Sequence, residues 1–126
     1  MKRLFCAVTV LMFLSLSTLA ISGEIVCYPS GNKTADAKIY TGAGTLCSLS
    51  ITTDGTNQCS VLFYDAITAT GTEVTTDLTC PGPSSSSGPN TCIFGDINLG
   101  FEDGLYADMT KAGGTCTFNV GRRTGH

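Results

Sequence analysis

Apolar and polar residues alternate with a period of two along most of the chain after its first two dozen positions. In the segment 46–52, for example, Cys47, Leu49 and Ile51 share one side, and serine or threonine fills most of the other. A period of two is typical of a β-strand that buries one face, and helical periodicity is almost absent. The pattern predicts seven or eight short strands, at residues 25–28, 37–41, 46–52, 58–64, 73–79, 92–99, 105–109 and 116–120.

Turn residues separate these strands at short intervals and indicate how they connect. The sequence DGTN at 54–57 predicts a hairpin between the third and fourth strands. In the strand at 92–99, Ile93 and Ile97 are expected on the same side. Because each strand buries only one face, two sheets must pack against each other. The expected fold is all-β, a small antiparallel β-sandwich of the jelly-roll or Ig-like type.

The first 22 residues have a different composition from the rest. A basic start, MKR, precedes an uncharged apolar run at 4–20, which is shorter than the ~20 residues of a comfortable membrane span. Small residues suit cleavage after Ala20 or after Ser22. Residues 1–22 are therefore predicted to be a signal peptide and residues 24–126 a single domain, the alternative being a retained membrane anchor. The mature protein is expected to be secreted or periplasmic and free of the membrane.

The cysteines support export. The chain has seven, of which Cys6 lies in the predicted signal peptide, so six remain in the domain. An even number in a short exported chain is typical of a disulfide framework. Zinc binding is disfavoured, because no Cys-x-x-Cys pair occurs and His126 is the single histidine. The cysteines fall on the inward side of the strands, which predicts that they stabilise the core.

Six cysteines allow fifteen pairings, and the sequence narrows them. Cys80 and Cys92 bracket a short segment rich in Pro, Gly and Ser, whose closure costs little entropy, so we expect them to pair. The predicted 54–57 hairpin would place Cys47 about five residues from the position opposite Cys59, too far for a bridge. Two arrangements of the other four then remain. The preferred one joins Cys27 to Cys47 and Cys59 to Cys116, since the last two occupy matching positions in inward-facing strands.

Charge and motifs exclude several functions. Loss of Lys2 and Arg3 with the signal peptide takes the formal net charge from −3 to about −5, so a basic nucleic-acid-binding surface is not expected. The serines at 84–87 form no nucleophile motif, and His126 is terminal. Carboxylates that could act as a paired acid and base are expected instead to cap turns; they are Asp54, Asp65, Asp77, Asp96, Glu102, Asp103 and Asp108. Calcium binding by Glu102 and Asp103 with Asp108 matches no calcium loop.

Several other features have a functional and a plain structural interpretation. Tyr28, Tyr40, Tyr64 and Tyr106 could form a carbohydrate-stacking platform, although core packing is favoured for tyrosines at strand ends. The segment 81–90 is expected to be a mobile loop, either a tolerated insertion or a displayed recognition loop. Two minor features are the glycosylation sequon at Asn32 and a basic pair, Arg122 and Arg123, which is expected to aid solubility.

Four segments resemble small β-sandwich proteins encoded in tailed-phage structural gene clusters. They are IYTGAG at 39–44, VLFYD at 61–65, GT at 71–72 and FEDGLYAD at 101–108, followed by a terminal strand at 117–120. The resemblance covers roughly residues 37–123 and implies a virion decoration or fibre-associated module. This chain differs from that pattern in its export signal and its six cysteines, which suggest a cellular, exported relative.

The sequence therefore predicts an exported, non-enzymatic structural or interaction module with no cofactor and no metal. Its partner would be a protein or glycan on a surface, and nucleic acid is not expected as a partner. The alternative function is a carbohydrate- or surface-ligand-binding module.

Overall fold

The computed structural model describes residues 26–82 and 88–124, and every regular element in them is a β-strand. The predicted signal peptide lies outside the described residues. No helix in the described part of the chain is long and apolar enough to cross a membrane. The strands are β1 (Tyr28–Pro29), β2 (Ala37–Thr41), β3 (Gly44–Thr53), β4 (Cys59–Asp65), β5 (Thr72–Glu73), β6 (Leu78–Cys80), β7 (Asn90–Phe94), β8 (Leu99–Phe101), β9 (Gly104–Lys111) and β10 (Cys116–Thr124).

The strands form two antiparallel sheets, which confirms the predicted sandwich. Sheet A has the order β1-β10-β3-β7. β8 also pairs with β3, at residues 44–46, whereas β7 pairs with it at residues 49–53. Sheet B has the order β2-β9-β4-β5, with β6 also pairing with β4. Each sheet therefore has four strand positions, and the chain repeatedly passes from one sheet to the other. This order is that of a jelly roll, so the Ig-like alternative is excluded.

The core lies between the sheets and is built from the alternating apolar residues of the long strands. Residues of β3 and β10 face residues of β4 and β9, and the largest of them are fully buried. The packed set is Leu46, Leu49, Ile51, Cys59, Val61, Phe63, Cys80, Phe101, Leu105, Ala107, Cys116, Phe118 and Val120.

The predicted hairpin at 54–57 is wrong. β3 pairs with β10, β7 and β8 in sheet A, whereas β4 pairs with β9, β5 and β6 in sheet B. The turn therefore carries the chain across the sandwich, and the apolar faces of β3 and β4 meet through the core. The register used to exclude a Cys47–Cys59 bridge does not exist, although these two cysteines are indeed not bonded to each other.

Two predicted strands are each divided in two, which gives ten strands where seven or eight were expected. The segment predicted at 73–79 breaks between β5 and β6, where the Thr75 hydroxyl accepts a hydrogen bond from the Phe63 N–H (3.1 Å). The segment predicted at 92–99 breaks at Asp96, whose φ of 55° is left-handed. This change of direction separates Ile93, which is 78% exposed, from Ile97, which packs on the core.

Three disulfides connect the strands, with the same pairing that the sequence analysis preferred: Cys27–Cys47, Cys59–Cys116 and Cys80–Cys92. Two of them join the sheets, because Cys59 and Cys80 belong to sheet B and their partners to sheet A. Cys59 and Cys80 are also direct cross-strand neighbours. The two inter-sheet bridges therefore stand side by side at one end of the sandwich.

The prediction that all cysteines face inward is wrong for Cys47. In the β3–β10 pairing, Gly121 is opposite Ser48 and Arg122 is opposite Leu46, so Cys47 is an extra residue without a partner. Such a β-bulge shifts the alternation by one position. Leu46 and Leu49 are thus both buried, and Cys47 turns toward the outer surface to meet Cys27.

The loop bracketed by Cys80 and Cys92 contacts the 54–57 turn at its base. A Cβ atom on Gly55 would lie 1.9 Å from the carbonyl oxygen of Gly88, and a Cβ on Gly82 would lie 2.3 Å from that of Thr56. Such close approaches require glycine. Residues 83–87, on which the expectation of a mobile loop chiefly depends, lie outside the described residues.

Candidate functional site

The outer surface of sheet B presents two tyrosines side by side. Tyr64 on β4 and Tyr106 on β9 are direct cross-strand partners. Because Phe63 and Ala107 are buried, alternation turns the tyrosines outward. Both tyrosine side chains are half-buried, so part of each ring faces solvent. Of the four tyrosines considered for a platform, the structure brings these two together.

Carboxyl groups surround this pair. Glu73 is the β5 partner of Tyr64, and Asp108 lies two positions beyond Tyr106 on β9. Burial, followed by the negative charges of Glu73, Asp108 and Asp77, raises the pKa of the Tyr64 hydroxyl above its ordinary value. The three carboxyl groups therefore act on one side of the sheet. We call Leu62, Tyr64, Glu73, Asp77, Tyr106 and Asp108 the tyrosine face.

A further carboxyl group stands at the edge of the tyrosine face. Asp36, just before β2, accepts a hydrogen bond from the Met109 N–H (2.8 Å) and shares a side-chain hydrogen bond with Asp108. Burial first, and then the charge and hydrogen bond of Asp36 and the charge of Asp77, raise the pKa of Asp108 above its usual range. The sequence analysis did not single out Asp36. By alternation, Asp36 lies on the same side of the chain as Lys38, two positions later.

The other two tyrosines lie elsewhere. Tyr28 is 54% exposed at the edge of sheet A. Tyr40 packs edge-on against Phe101, with ring centroids 6.2 Å apart. The Arg122 guanidinium carbon lies 4.2 Å from the centre of the Tyr40 ring, an arrangement typical of a cation–π contact. Arg122 thus makes a contact within the fold, and the expectation that Arg122 and Arg123 aid solubility stays a prediction.

Asp65 organises the turn before β9. Its carboxylate accepts hydrogen bonds from the backbone N–H groups of Glu102 (2.9 and 3.0 Å), Asp103 (2.8 Å) and Gly104 (3.3 Å). Burial alone would raise the pKa of Asp65, but these N–H donors outweigh it and lower the pKa. Asp108 lies four positions after Gly104 on β9, a distance of roughly 13 Å at the rise per residue of a strand. Glu102, Asp103 and Asp108 are therefore not brought together as calcium ligands.

We expect Asp65→Asn to destabilise the fold by about 1–2 kcal/mol, after allowance for screening by solvent, because a neutral amide accepts these hydrogen bonds less well. Urea unfolding measures the change. The folded pKa of Asp65 is lowered, so its contribution is present above the unfolded pKa and disappears as pH falls through the folded value. The difference between the variant and the parent should therefore shrink below about pH 4.

The matched control for this prediction is Asp96→Asn. It removes the same charge from an exposed loop, and asparagine tolerates a left-handed backbone. We expect a change within about 0.5 kcal/mol. Equal losses in the two variants, or a loss at Asp65 that is unchanged at low pH, would contradict the role given to the Asp65 carboxylate.

Asp54 caps the turn that crosses the sandwich. Its carboxylate accepts hydrogen bonds from the N–H groups of Thr56 (2.9 Å) and Asn57 (2.8 Å) and from the Asn57 side chain (2.9 Å). The backbone of Asn57, then its side chain and the backbone of Thr56, lower the pKa of Asp54 to about 2. For Asp54 and Asp65, the expectation that carboxylates serve turns is confirmed. It is wrong for Asp108, which lies within β9 and shares a hydrogen bond with Asp36.

A cleft of about 490 Å³ opens on the sheet A side, beside the Cys27–Cys47 disulfide. Asp96, Asn98 and Arg123 line its wall. Arg123 donates a hydrogen bond to the Asn98 side chain (3.0 Å) and so helps to hold the loop between β7 and β8. A second depression on the neighbouring outer surface of sheet A is lined by Ser48, Ser50 and Asn119 together with the exposed Ile93.

The remaining candidate residues do not form a site. The serines at 84–87 and His126 lie outside the described residues. Asn32 is exposed, and its side-chain oxygen accepts a hydrogen bond from Asn119 (3.4 Å). In residues 26–82 and 88–124, no group of three or more His, Cys, Asp or Glu side chains is arranged to hold a metal ion.

No protein-family model, curated protein or solved structure matches this chain.

Proposed function

We propose that this chain is an exported, non-catalytic module with a structural or interaction role outside the cytoplasm. The observation that carries the proposal is the set of three disulfides, two of which join the sheets of a jelly roll. Such a framework is typical of small domains in secreted or periplasmic compartments. The leader at 1–22 agrees with this location. Two of the carboxylates considered as a catalytic acid and base, Asp54 and Asp65, hold turns instead.

Analysis of the protein recovered from its native cell tests export. We expect residues 1 to about 22 to be absent and the protein to be secreted or periplasmic, because a basic start, an apolar run and small residues define a cleavable signal. Edman sequencing and intact mass under non-reducing conditions measure both the cleavage site and six oxidised cysteines. Recovery from the cytoplasm with Met1 or Lys2 present, or with free thiols, would overturn the proposal.

The second candidate function is a module that binds a carbohydrate or another ligand on a surface. The adjacency of Tyr64 and Tyr106 favours it, because exposed aromatic rings stack on apolar faces of ligands. A glycan array probed with the mature protein tests the carbohydrate form. The relation to tailed-phage structural modules stays a prediction based on sequence resemblance.

A further inference from the structure

We propose that the tyrosine face binds a lysine- or arginine-rich segment of a protein partner. This inference rests on the proposed interaction role and names the surface and ligand chemistry for it. The first ground is the composition of the face, in which two half-buried tyrosines and Leu62 form the centre and carboxyl groups form the rim. An aromatic centre with a charged rim is the usual construction of a protein interface.

The second ground is uncompensated charge. In the part of the chain that the structure describes, no lysine or arginine pairs with Glu73, Asp77 or Asp108. Lys38 is the β2 partner of Tyr106. In the cross-strand row Lys38–Tyr106–Tyr64–Glu73, it therefore lies at the opposite end from Glu73. Carboxyl groups crowded together without cations repel one another, and a basic partner would relieve this repulsion.

The third ground is what the tyrosine rings add to the carboxyl groups. A lysine ammonium or arginine guanidinium placed over a tyrosine ring is attracted by the ring's negative face. The same cation can donate charge-assisted hydrogen bonds to Glu73 or Asp108. The chain already holds one such arrangement, Arg122 over Tyr40. A neutral sugar would use the rings but would leave the charges uncompensated, and a second copy of this acidic chain would add to them.

The size of the face indicates a chain and not a small cation. Within the tyrosine face, the row Tyr106–Tyr64–Glu73 crosses three strand positions, a width of roughly 10 Å at the spacing of neighbouring strands. An extended peptide covers this distance with about three residues. A segment with basic residues at two or three positions would reach the tyrosine rings and the carboxyl groups together.

Fluorescence anisotropy of a labelled ten-residue peptide of alternating lysine and serine, added to the oxidised mature protein, tests the proposal. We expect saturable binding that weakens as salt is added. A glutamate–serine peptide of the same length should not bind. The paired change Glu73→Gln with Asp77→Asn should weaken binding roughly five- to thirtyfold, since two exposed ion pairs contribute about 0.5–1 kcal/mol each.

The matched control is Asp96→Asn with Asp103→Asn, which removes the same net charge away from the tyrosine face. It should change the affinity less than twofold. A second pair, Tyr64→Leu with Tyr106→Leu, keeps the charge and should weaken binding about tenfold, since each cation–π contact contributes about 0.5–1 kcal/mol. Tyr28→Leu, at the edge of sheet A, should have no effect. Thermal unfolding of each variant verifies that it is folded.

Three results would overturn the inference: no saturable binding, equal weakening by the face and control charge pairs, or binding that survives the tyrosine changes. A neutral glycan that binds the tyrosine face when the basic peptide does not would also overturn it, while supporting the second candidate function. These outcomes differ from cytoplasmic recovery with free thiols, which would overturn the proposed function itself.

Discussion

Replacing Cys59 and Cys116 together by alanine is expected to lower the free energy of unfolding by about 4 kcal/mol. The two cysteines are 57 positions apart in the sequence. In the chain-entropy model, closing a loop of this length lowers the entropy of the unfolded chain by an amount equivalent to about 4 kcal/mol. Both side chains are also buried, at 1% and 3% exposure, so the alanines leave a gap in the core. A domain of this size has only about 5–15 kcal/mol in total.

Urea unfolding of the double variant measures this loss, and the pair Cys80→Ala with Cys92→Ala is the comparison. Those cysteines are 12 positions apart, so the same model gives about 3 kcal/mol. We expect the Cys59 and Cys116 variant to be the less stable of the two. The reverse order would mean that the Cys80–Cys92 bridge contributes through contacts at its base, where Gly82 and Gly88 meet the 54–57 turn.

Phe63→Ala is the second change with a large expected effect, a loss of about 3–5 kcal/mol. Phe63 has no exposed surface and lies at the centre of β4, between the two sheets. Truncation removes apolar contacts and opens a cavity that the rigid strands on either side cannot close. Thermal and urea unfolding measure the loss, with the near-ultraviolet circular dichroism of the tyrosines as the signal.

Ile93→Ala is the matched control for Phe63→Ala, because Ile93 is also a large apolar strand residue but is 78% exposed. We expect it to change the free energy of unfolding by less than about 0.5 kcal/mol. A similar loss at both positions would mean that the outer side of β7 is covered in solution and that the placement of Ile93 is wrong.

Local sequence patterns were sufficient to predict much of this fold. Alternation on one strand depends only on that strand, so the strands that became β2, β4, β9 and β10 were placed within a few residues. The number of cysteines and their spacing also favoured the three pairs that the structure contains. The Cys59–Cys116 pair was preferred from matching positions in two inward-facing strands.

Features that depend on distant pairing could not be predicted in this way. A DGTN turn is compatible with a hairpin and with a crossing between sheets, and the choice depends on β10, which takes the place beside β3. The bulge at Cys47 arises in that same pairing. Because a single extra residue reverses the parity, the sequence pattern placed Cys47 with Leu49, whereas the structure turns Cys47 outward.

The tyrosine face was likewise hidden from the sequence. Tyr64 and Tyr106 are neighbours only because β4 and β9 pair in one particular register. Each tyrosine alone was interpreted as a residue near a strand end, for which core packing is favoured. That expectation holds for Tyr40 but is wrong for Tyr64 and Tyr106, which face outward from sheet B. Asp36 was missed because its partner, Asp108, lies on a strand far along the chain.

The three disulfides also determine how the domain would carry mechanical tension. A force applied along the chain from residue 26 to residue 124 would pass from Cys27 directly to Cys47, along the backbone to Cys59, and then directly to Cys116. With these bonds intact the chain can be drawn out to roughly 80 Å, in place of roughly 330 Å for an unbridged chain. Every strand that contributes to the tyrosine face, apart from the first residue of β4, lies in the by-passed length. The covalent path that carries tension between the two ends therefore avoids that surface.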